Sequence, residues 1–555
     1  MTSVVTAGGV SVTIRGAVVD ETETVLDRLV SDGVPGSLTS GHAGLWGPDA
    51  ARAAARRLGW LDLPERSRGL LGRLAELVGE ARGAGLDRIV LAGMGGSSLA
   101  PDVIARAGGA ELTVLDTTDP HQVADVLADR LDRTLVVLSS KSGDTVEADA
   151  HRRVFERAFA EAGIGGADLR RRFVIVTDPG SPLEAVADAA GYRLVLADPN
   201  VGGRYGALSA SGLVPCAVAG VDVVRLLDEA AALVPALQQP YDNPALALGA
   251  VLGSSALGGR DKLVVADNGS GLPGLDGWVE HLVAESTGKD GRGLLPVVVE
   301  SVDAPGFDPA GDTRRIVLGS RPDEPVAGRD AELGVAGPLG AQFLLWEYAT
   351  AVACRVLGVD PFDEPDVQES RDNTAALLRA EEGIAPTVVH TAPALVEGAV
   401  EVHARPESLK GAKDLAGVLE AAVTAAPDRG YLAVMAYLDR FGDASASGLR
   451  SLLAERGERL RKHAVPVTFG WGPQLLHTTG QYHKGGPPNG SFLQITGAVR
   501  EDVEVPDRPY TLGQLQLAQA FGDQRVLRSL GRPAFRLHLR DRDEGIAQLT
   551  KVLTG

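Results

Sequence analysis

The stretch that decides the fold is Arg88-Ile-Val-Leu-Ala-Gly-Met-Gly-Gly-Ser-Ser-Leu-Ala-Pro101. Residues 89–92 form an apolar strand that runs into a glycine-rich turn, and a helix opens at Ser97 or Ser98. Small residues let the backbone approach a ligand, and the first amides of the helix, which lack an intrahelical acceptor, point outward. A start of this kind attracts anions, phosphate above all. A tight strand-to-helix turn with serine N-caps is the alternative reading of the same residues.

Working outward, strand and helix alternate. Strands are predicted at 89–92, 112–115, 135–139, 173–177 and 194–197 with helices between them, the pattern of a parallel sheet covered on both faces. Ligands of such sheets lie beyond the carboxyl ends of the strands, where the glycine turn falls. A second unit begins near Asn243, with helix 245–257, strand 263–266, helix 277–286, strands 295–299 and 316–318, and a long apolar helix 340–356. Residues 321–337, rich in Pro, Gly and acid, read as a surface loop. Beyond about 381, strands at 431–438, 465–469, 492–495 and 535–539 alternate with helices at 409–425, 445–462, 512–521 and 544–553. Residues 1–87 read as a mostly helical preface with one short strand at 10–14 and helical spacing at 50–58 and 68–83. The expected fold class is α/β. Its divisions are 1–87, 88–240 with the phosphate site, 241–380, and a C-terminal α/β region, 381–555.

The chain has 555 residues, too many for one compact core. A net charge of −19 argues against a nucleic-acid partner, which wants a basic patch. Cys216 and Cys354 are the only cysteines, so neither a disulfide framework nor a cysteine zinc site is expected. No signal peptide and no membrane-length apolar run is seen, and a cytoplasmic location is expected.

Four further stretches bear on chemistry. Ser139-Ser-Lys-Ser-Gly-Asp-Thr-Val-Glu147 ends the third strand with hydroxyls, a lysine and a glycine, a second anion cradle. A polar N-cap box with Asp144 or Thr145 capping is the alternative, but a cap does not need Lys141. Gly93 and Gly95, with Asp116 ending the next strand, partly match a dinucleotide fingerprint, yet Ser98 stands where the third glycine belongs. Arg204, after Gly202-Gly203, is placed either to stabilise negative charge developing on a substrate oxygen or merely on a surface loop. Glu285 lies on one helix face with His281, near the C-terminal end. There the dipole is expected to raise its pKa, suiting a general base; pairing with Lys289 at i+4 is the alternative. His477, His483 and Lys484 read as loop residues or as a metal or phosphate site, although His-x5-His is no recognised ligand spacing.

Gly93-Met-Gly-Gly-Ser97, Ser140-Lys-Ser142, Val201-Gly-Gly-Arg-Tyr205 and Glu285-Ser-Thr-Gly-Lys289, in this order, resemble the motifs of the glucose-6-phosphate isomerase family. Val359-Asp-Pro-Phe-Asp-Glu-Pro-Asp-Val367 resembles the family's late Asn-Pro-Phe-Asp-Gln-Pro-Gly-Val motif. His477-Thr-Thr-Gly-Gln-Tyr-His-Lys-Gly-Gly-Pro487 resembles the form fused to transaldolase in some bacteria, of which no transaldolase part is evident here. The likeness covers about 88–380 and the His477 stretch. It implies two sugar-isomerase domains with doubly wound parallel sheets, followed by the C-terminal α/β region. It also implies that Gly95, Ser97, Ser140, Lys141, Ser142 and Thr145 hold a sugar phosphate. Arg204 would then stabilise an enediolate, Glu285 would move the proton between C2 and C1, and His477 would open the ring. The family's ring-opening lysine falls on Arg371, a fixed positive donor, and the motif glutamine has become Glu364.

The expected activity is reversible isomerisation of glucose 6-phosphate and fructose 6-phosphate, a step of glycolysis and gluconeogenesis. It needs no metal or other cofactor. An isomerase that also accepts mannose 6-phosphate, and a non-catalytic sugar-phosphate-binding regulator, are the other readings. The expected partner is a small-molecule sugar phosphate rather than nucleic acid or membrane. The resemblance also implies a possible homodimer.

Overall fold

The computed structural model describes residues 1–319, 331–379 and 392–555. Three β-sheets carry the chain. In the first, five parallel strands lie in the order Thr113–Leu115, Arg88–Gly93, Thr134–Ser139, Phe173–Thr177 and Arg193–Leu196. The strand order reverses between the first and third strands in sequence, which are neighbours in the sheet. Crossovers leave them in opposite directions, so a crevice opens at their carboxyl ends. The three central strands read as unbroken buried runs because both faces are covered by helices.

The second sheet has the order Thr2–Ala7, Val10–Arg15, Leu333–Ala336, Thr313–Leu318, Lys262–Asp267 and Leu295–Val299. Its last four strands are parallel, and the first two form an antiparallel hairpin whose inner strand pairs with Leu333–Ala336. The third sheet repeats this plan in the order Leu395–Glu397, Val400–His403, Ala534–Leu539, Gly490–Gly497, Tyr431–Tyr437 and Val467–Trp471.

Several elements differ from the reading of the sequence. The opening segment supplies two strands rather than one, and they belong to the second sheet. A helix at Val18–Ser31 follows, while the helical spacing at 50–58 yields only the short helix Ala51–Ala54. Within the expected surface loop, Leu333–Ala336 is a fully buried strand, because it lies between Thr313–Leu318 and the hairpin; residues 320–330 lie outside the described residues. The helix predicted at 512–521 runs on to Ser529, and that at 409–425 begins only at Leu415, where Asp414 caps it.

The core joins the first two sheets through the helices Pro244–Leu257 and Leu339–Leu357, both buried nearly all round. They pack closely because Gly249 and Gly253 leave room: a Cβ at either would stand 2.6 Å from Val352 or Val356. Among the described residues no helix is long and apolar enough to cross a membrane.

Candidate active site

The crevice at the carboxyl ends of the first sheet is a cleft of about 360 Å³. Glu285, Arg204, His477 and Arg371 line it together with Gly95, Ser97, Ser140, Lys141, Ser142 and Thr145. The ten residues given catalytic or phosphate-binding roles from the sequence thus share one cavity, although they come from six separate stretches of the chain.

Glycine makes the convergence possible. Gly95 has φ +56°, and a Cβ there would stand 2.8 Å from the His477 carbonyl oxygen; one on Gly96 would stand 2.2 Å from that of Gly203. The Gly95 turn, the Arg204 turn and the His477 turn therefore touch backbone to backbone. The helix Gly96–Ala107 then starts beside the cleft with no side-chain cap, since Ser98 donates its hydroxyl back to the Gly95 carbonyl at 3.0 Å.

The second cradle is built in the same spirit. Thr145 occupies the N-cap position of the helix Val146–Glu161 but does not cap it. Its hydroxyl lies 2.7 Å from that of Ser140, which also accepts the Gly143 amide at 3.2 Å. Asp144 accepts the Ser142 hydroxyl instead of capping. The alternative of a polar cap box is therefore not realised, and the first amides of this helix have no side-chain acceptor. Lys141 lines the cleft, yet its ammonium is held by both Asp178 oxygens at 2.7 and 2.6 Å, so much of its charge is already balanced. Arg57, unnoticed in the sequence, adds a guanidinium to the same wall and donates to the Pro199 carbonyl.

Across the cleft, Arg204 is buried rather than on a surface loop, and every arm is engaged. It donates to Ser286, to Glu364 at 2.9 Å, and to the carbonyls of Pro361 and Asp363. Glu285, near the end of the helix Leu275–Thr287, meets the Arg204 guanidinium at 3.3 Å through Oε1 and His281 Nε2 at 2.6 Å through Oε2. Burial alone would raise its carboxyl, but Arg204 and then His281 outweigh burial and hold it down to about 2. The raised value expected from the helix dipole is therefore corrected, because two neighbouring groups act more strongly than a helix end. Lys289 does not pair with Glu285; it binds Asp363 at 2.7 Å.

His477 Nε2 lies 3.0 Å from Glu147 Oε1, and the same oxygen accepts the Gln519 amide at 2.6 Å. Burial would raise the Glu147 carboxyl, but the facing His477 more than offsets it, so it is lowered and the carboxylate faces the ring. Arg371, half exposed on the helix Gln368–Arg379, lies 3.7 Å from Glu364. Asp116 does not face an open dinucleotide groove; it is buried and lies 3.6 Å from Arg440 of the third unit.

Residues 73–289 match the phosphoglucose isomerase family. The chain is 30% identical over 390 residues to the glucose-6-phosphate isomerase of Symbiobacterium thermophilum, covering 58% of this chain and 86% of that one. The chain belongs to the phosphoglucose isomerase family. It is 36% identical over 255 residues to the Rubrobacter xylanophilus glucose-6-phosphate isomerase, covering 43% of this chain and 58% of that one. Against the probable glucose-6-phosphate isomerases of Natronomonas pharaonis and Haloarcula marismortui the match spans 49% of their length. A solved glucose-6-phosphate isomerase from Chlamydia trachomatis shares the fold, with a TM-score of 0.54 at 18% identity over 69% of this chain and 90% of that one.

For a phosphoglucose isomerase family member, two of the histidine-loop residues take structural places. The loop is a short 3-10 turn at Gln474–His477 followed by the helix Gly480–Gly485. His483 stacks on Tyr431, whose hydroxyl lies 2.9 Å from Nδ1, and burial pushes its pKa down to about 3. Lys484 is sealed against Asp523 at 2.6 Å. Among the described residues no cluster suits a metal ion.

Proposed function

We propose that this protein interconverts glucose 6-phosphate and fructose 6-phosphate through a cis-enediol(ate). The observation that carries the reading is the facing of two walls across one cleft: uncapped helix starts with the hydroxyls of Ser97, Ser140 and Thr145 on one, and the Glu285 carboxylate beside Arg204 on the other. Phosphate is seated on the amides and hydroxyls of the first wall, with Arg57 adding positive charge beside the Lys141–Asp178 pair. His477, oriented by Glu147, hands a proton to the ring oxygen and takes one from the C1 or C2 hydroxyl, which opens the ring. Arg371 adds a fixed positive donor at the same mouth.

Glu285 then takes the hydrogen at C2 as a proton and returns it at C1. The electron pair it leaves behind forms the C1–C2 double bond, and negative charge grows on the sugar oxygens, where the fixed Arg204 guanidinium stabilises it without rearranging. The proton leaves one carbon and enters its neighbour, so the overall reaction needs no external oxidant or reductant. The free carboxylate is already ionised across the working pH range and so can accept a proton.

A coupled assay tests the reading. Turnover of fructose 6-phosphate with no measurable turnover of unphosphorylated fructose is expected. Ligand-induced stabilisation by the sugar phosphate without turnover would support a binding regulator instead and contradict the reading.

A further inference from the structure

His281 stands one helical turn before Glu285, on the same face of the same helix. Its Nε2 lies 2.6 Å from Glu285 Oε2, while Arg204 holds the other oxygen, Oε1, at 3.3 Å. The ring is 1% exposed, and its Nδ1 is buried with no hydrogen-bond partner among the described residues. Its Nε2 would lie only 3.7 Å from a Cβ on Gly95, so the ring edge sits against the glycine turn that lines the cleft.

These contacts fix a direction. A proton on Nδ1 would have no acceptor in that buried position, whereas a proton on Nε2 has the carboxylate. We propose that His281 is a positioning residue: its Nε2–H pins one oxygen of Glu285 and so holds the other, beside Arg204, toward the reacting carbons of the substrate. The proposal rests on the isomerase reading of the same cleft. A carboxylate gripped on both oxygens cannot swing away between turnovers, and small misplacement of a base is costly in rate.

The charged and titratable groups that face Glu285 come from several elements. They are Arg204 from the turn Gly203–Tyr205, His477 from the turn Gln474–His477, and Glu364 and Arg371, which line the same cleft. Of the groups that face Glu285, His281 is the one on the helix that carries the base.

The test compares His281→Leu and His281→Gln in the intact protein. With leucine, kcat is expected to fall roughly ten- to hundredfold while KM for fructose 6-phosphate changes less. The acid limb of kcat/KM is expected to move up by about one pH unit, because the carboxylate loses a donor. Glutamine, which keeps an N–H, is expected to restore most of kcat and the original limb. Unchanged kcat and pH profile in the leucine variant would overturn the proposal. A second readout does not depend on activity: nitrogen NMR of histidine-labelled protein is expected to place the His281 proton on Nε2, and Glu285→Gln is expected to shift that resonance. A proton found on Nδ1 would overturn the proposal even if the wild-type protein isomerises its substrate. Absence of wild-type turnover with the expected resonance would refute the isomerase reading and, with it, the role of His281 in catalysis.

Discussion

The carboxyl edges of the first two sheets are built alike and used differently. In both, parallel strands end in glycine turns that start helices. On the first sheet, Ser140 and Thr145 bind each other and leave the amides of Val146–Glu161 open to the cleft. On the second, Glu229 stands at the start of the helix Leu339–Leu357, accepting the Gly340 amide at 3.1 Å and the Arg225 guanidinium at 2.9 Å. The position an anionic ligand would take is filled by the chain itself. The third sheet is closed in a further way: Arg542, just past its strand Ala534–Leu539, is buried between Asp119 of the first unit and Asp443 at 2.9 Å each. A helix start is therefore left open to an anion only where the chain withholds its own carboxylates.

This contrast can be broken or sharpened by substitution. The largest effect is expected from Glu285→Gln, which removes the base opposite the open edge: turnover should fall by roughly a hundredfold to ten-thousandfold in the coupled assay. Next comes the cradle. Ser140→Ala with Thr145→Ala should raise KM for fructose 6-phosphate by about a hundredfold and leave kcat nearly unchanged, since each of the two hydrogen bonds to a charged group is worth at least about 1.5 kcal/mol. Glu229→Ala on the closed edge should leave both constants alone and lower stability by about 1 kcal/mol, the loss of a helix cap, read from the denaturant midpoint. An equal change in KM there would erase the distinction between the edges. The smallest effect is in pH. Glu285 is held at about 2 against an ordinary value of 4.5, so its contribution to stability is full above about 4.5 and is lost as pH falls toward 2. The Glu285→Gln protein should lack that part of the acid unfolding profile.

The edges of the first sheet were legible because each is local: an apolar run, a glycine turn, then hydroxyls, all within ten or so residues of Ala92 and Ser139. Glu285 and Arg204 were legible as residue types, but their state was not. The depressed carboxyl depends on Arg204, which reaches the helix from another unit of the chain. His281 was visible on the face of Glu285, but its direct hydrogen bond to the carboxylate depends on rotamers that the sequence does not set. Glu147 and Gln519 had no such signal, since Glu147 meets His477 across 330 residues and Gln519 across 372. Of the N-terminal hairpin only the inner strand at 10–14 was legible; its place in the second sheet escaped for the same reason, because Ile14 pairs with Leu333 and no local pattern marks that register. His483 and Lys484 were ambiguous in sequence because a loop histidine and a core histidine carry the same letters around them; the core claimed both residues.

The most direct test of the central claim follows the hydrogen itself. Glucose 6-phosphate carrying deuterium at C2 is converted by the wild-type protein, and the fructose 6-phosphate is read by NMR. Deuterium at C1, diminished by exchange with water, and its disappearance from the product of Glu285→Gln on the same timescale, are the predicted result. Product formed at near-wild-type rate by Glu285→Gln, with the same label at C1, would contradict the account.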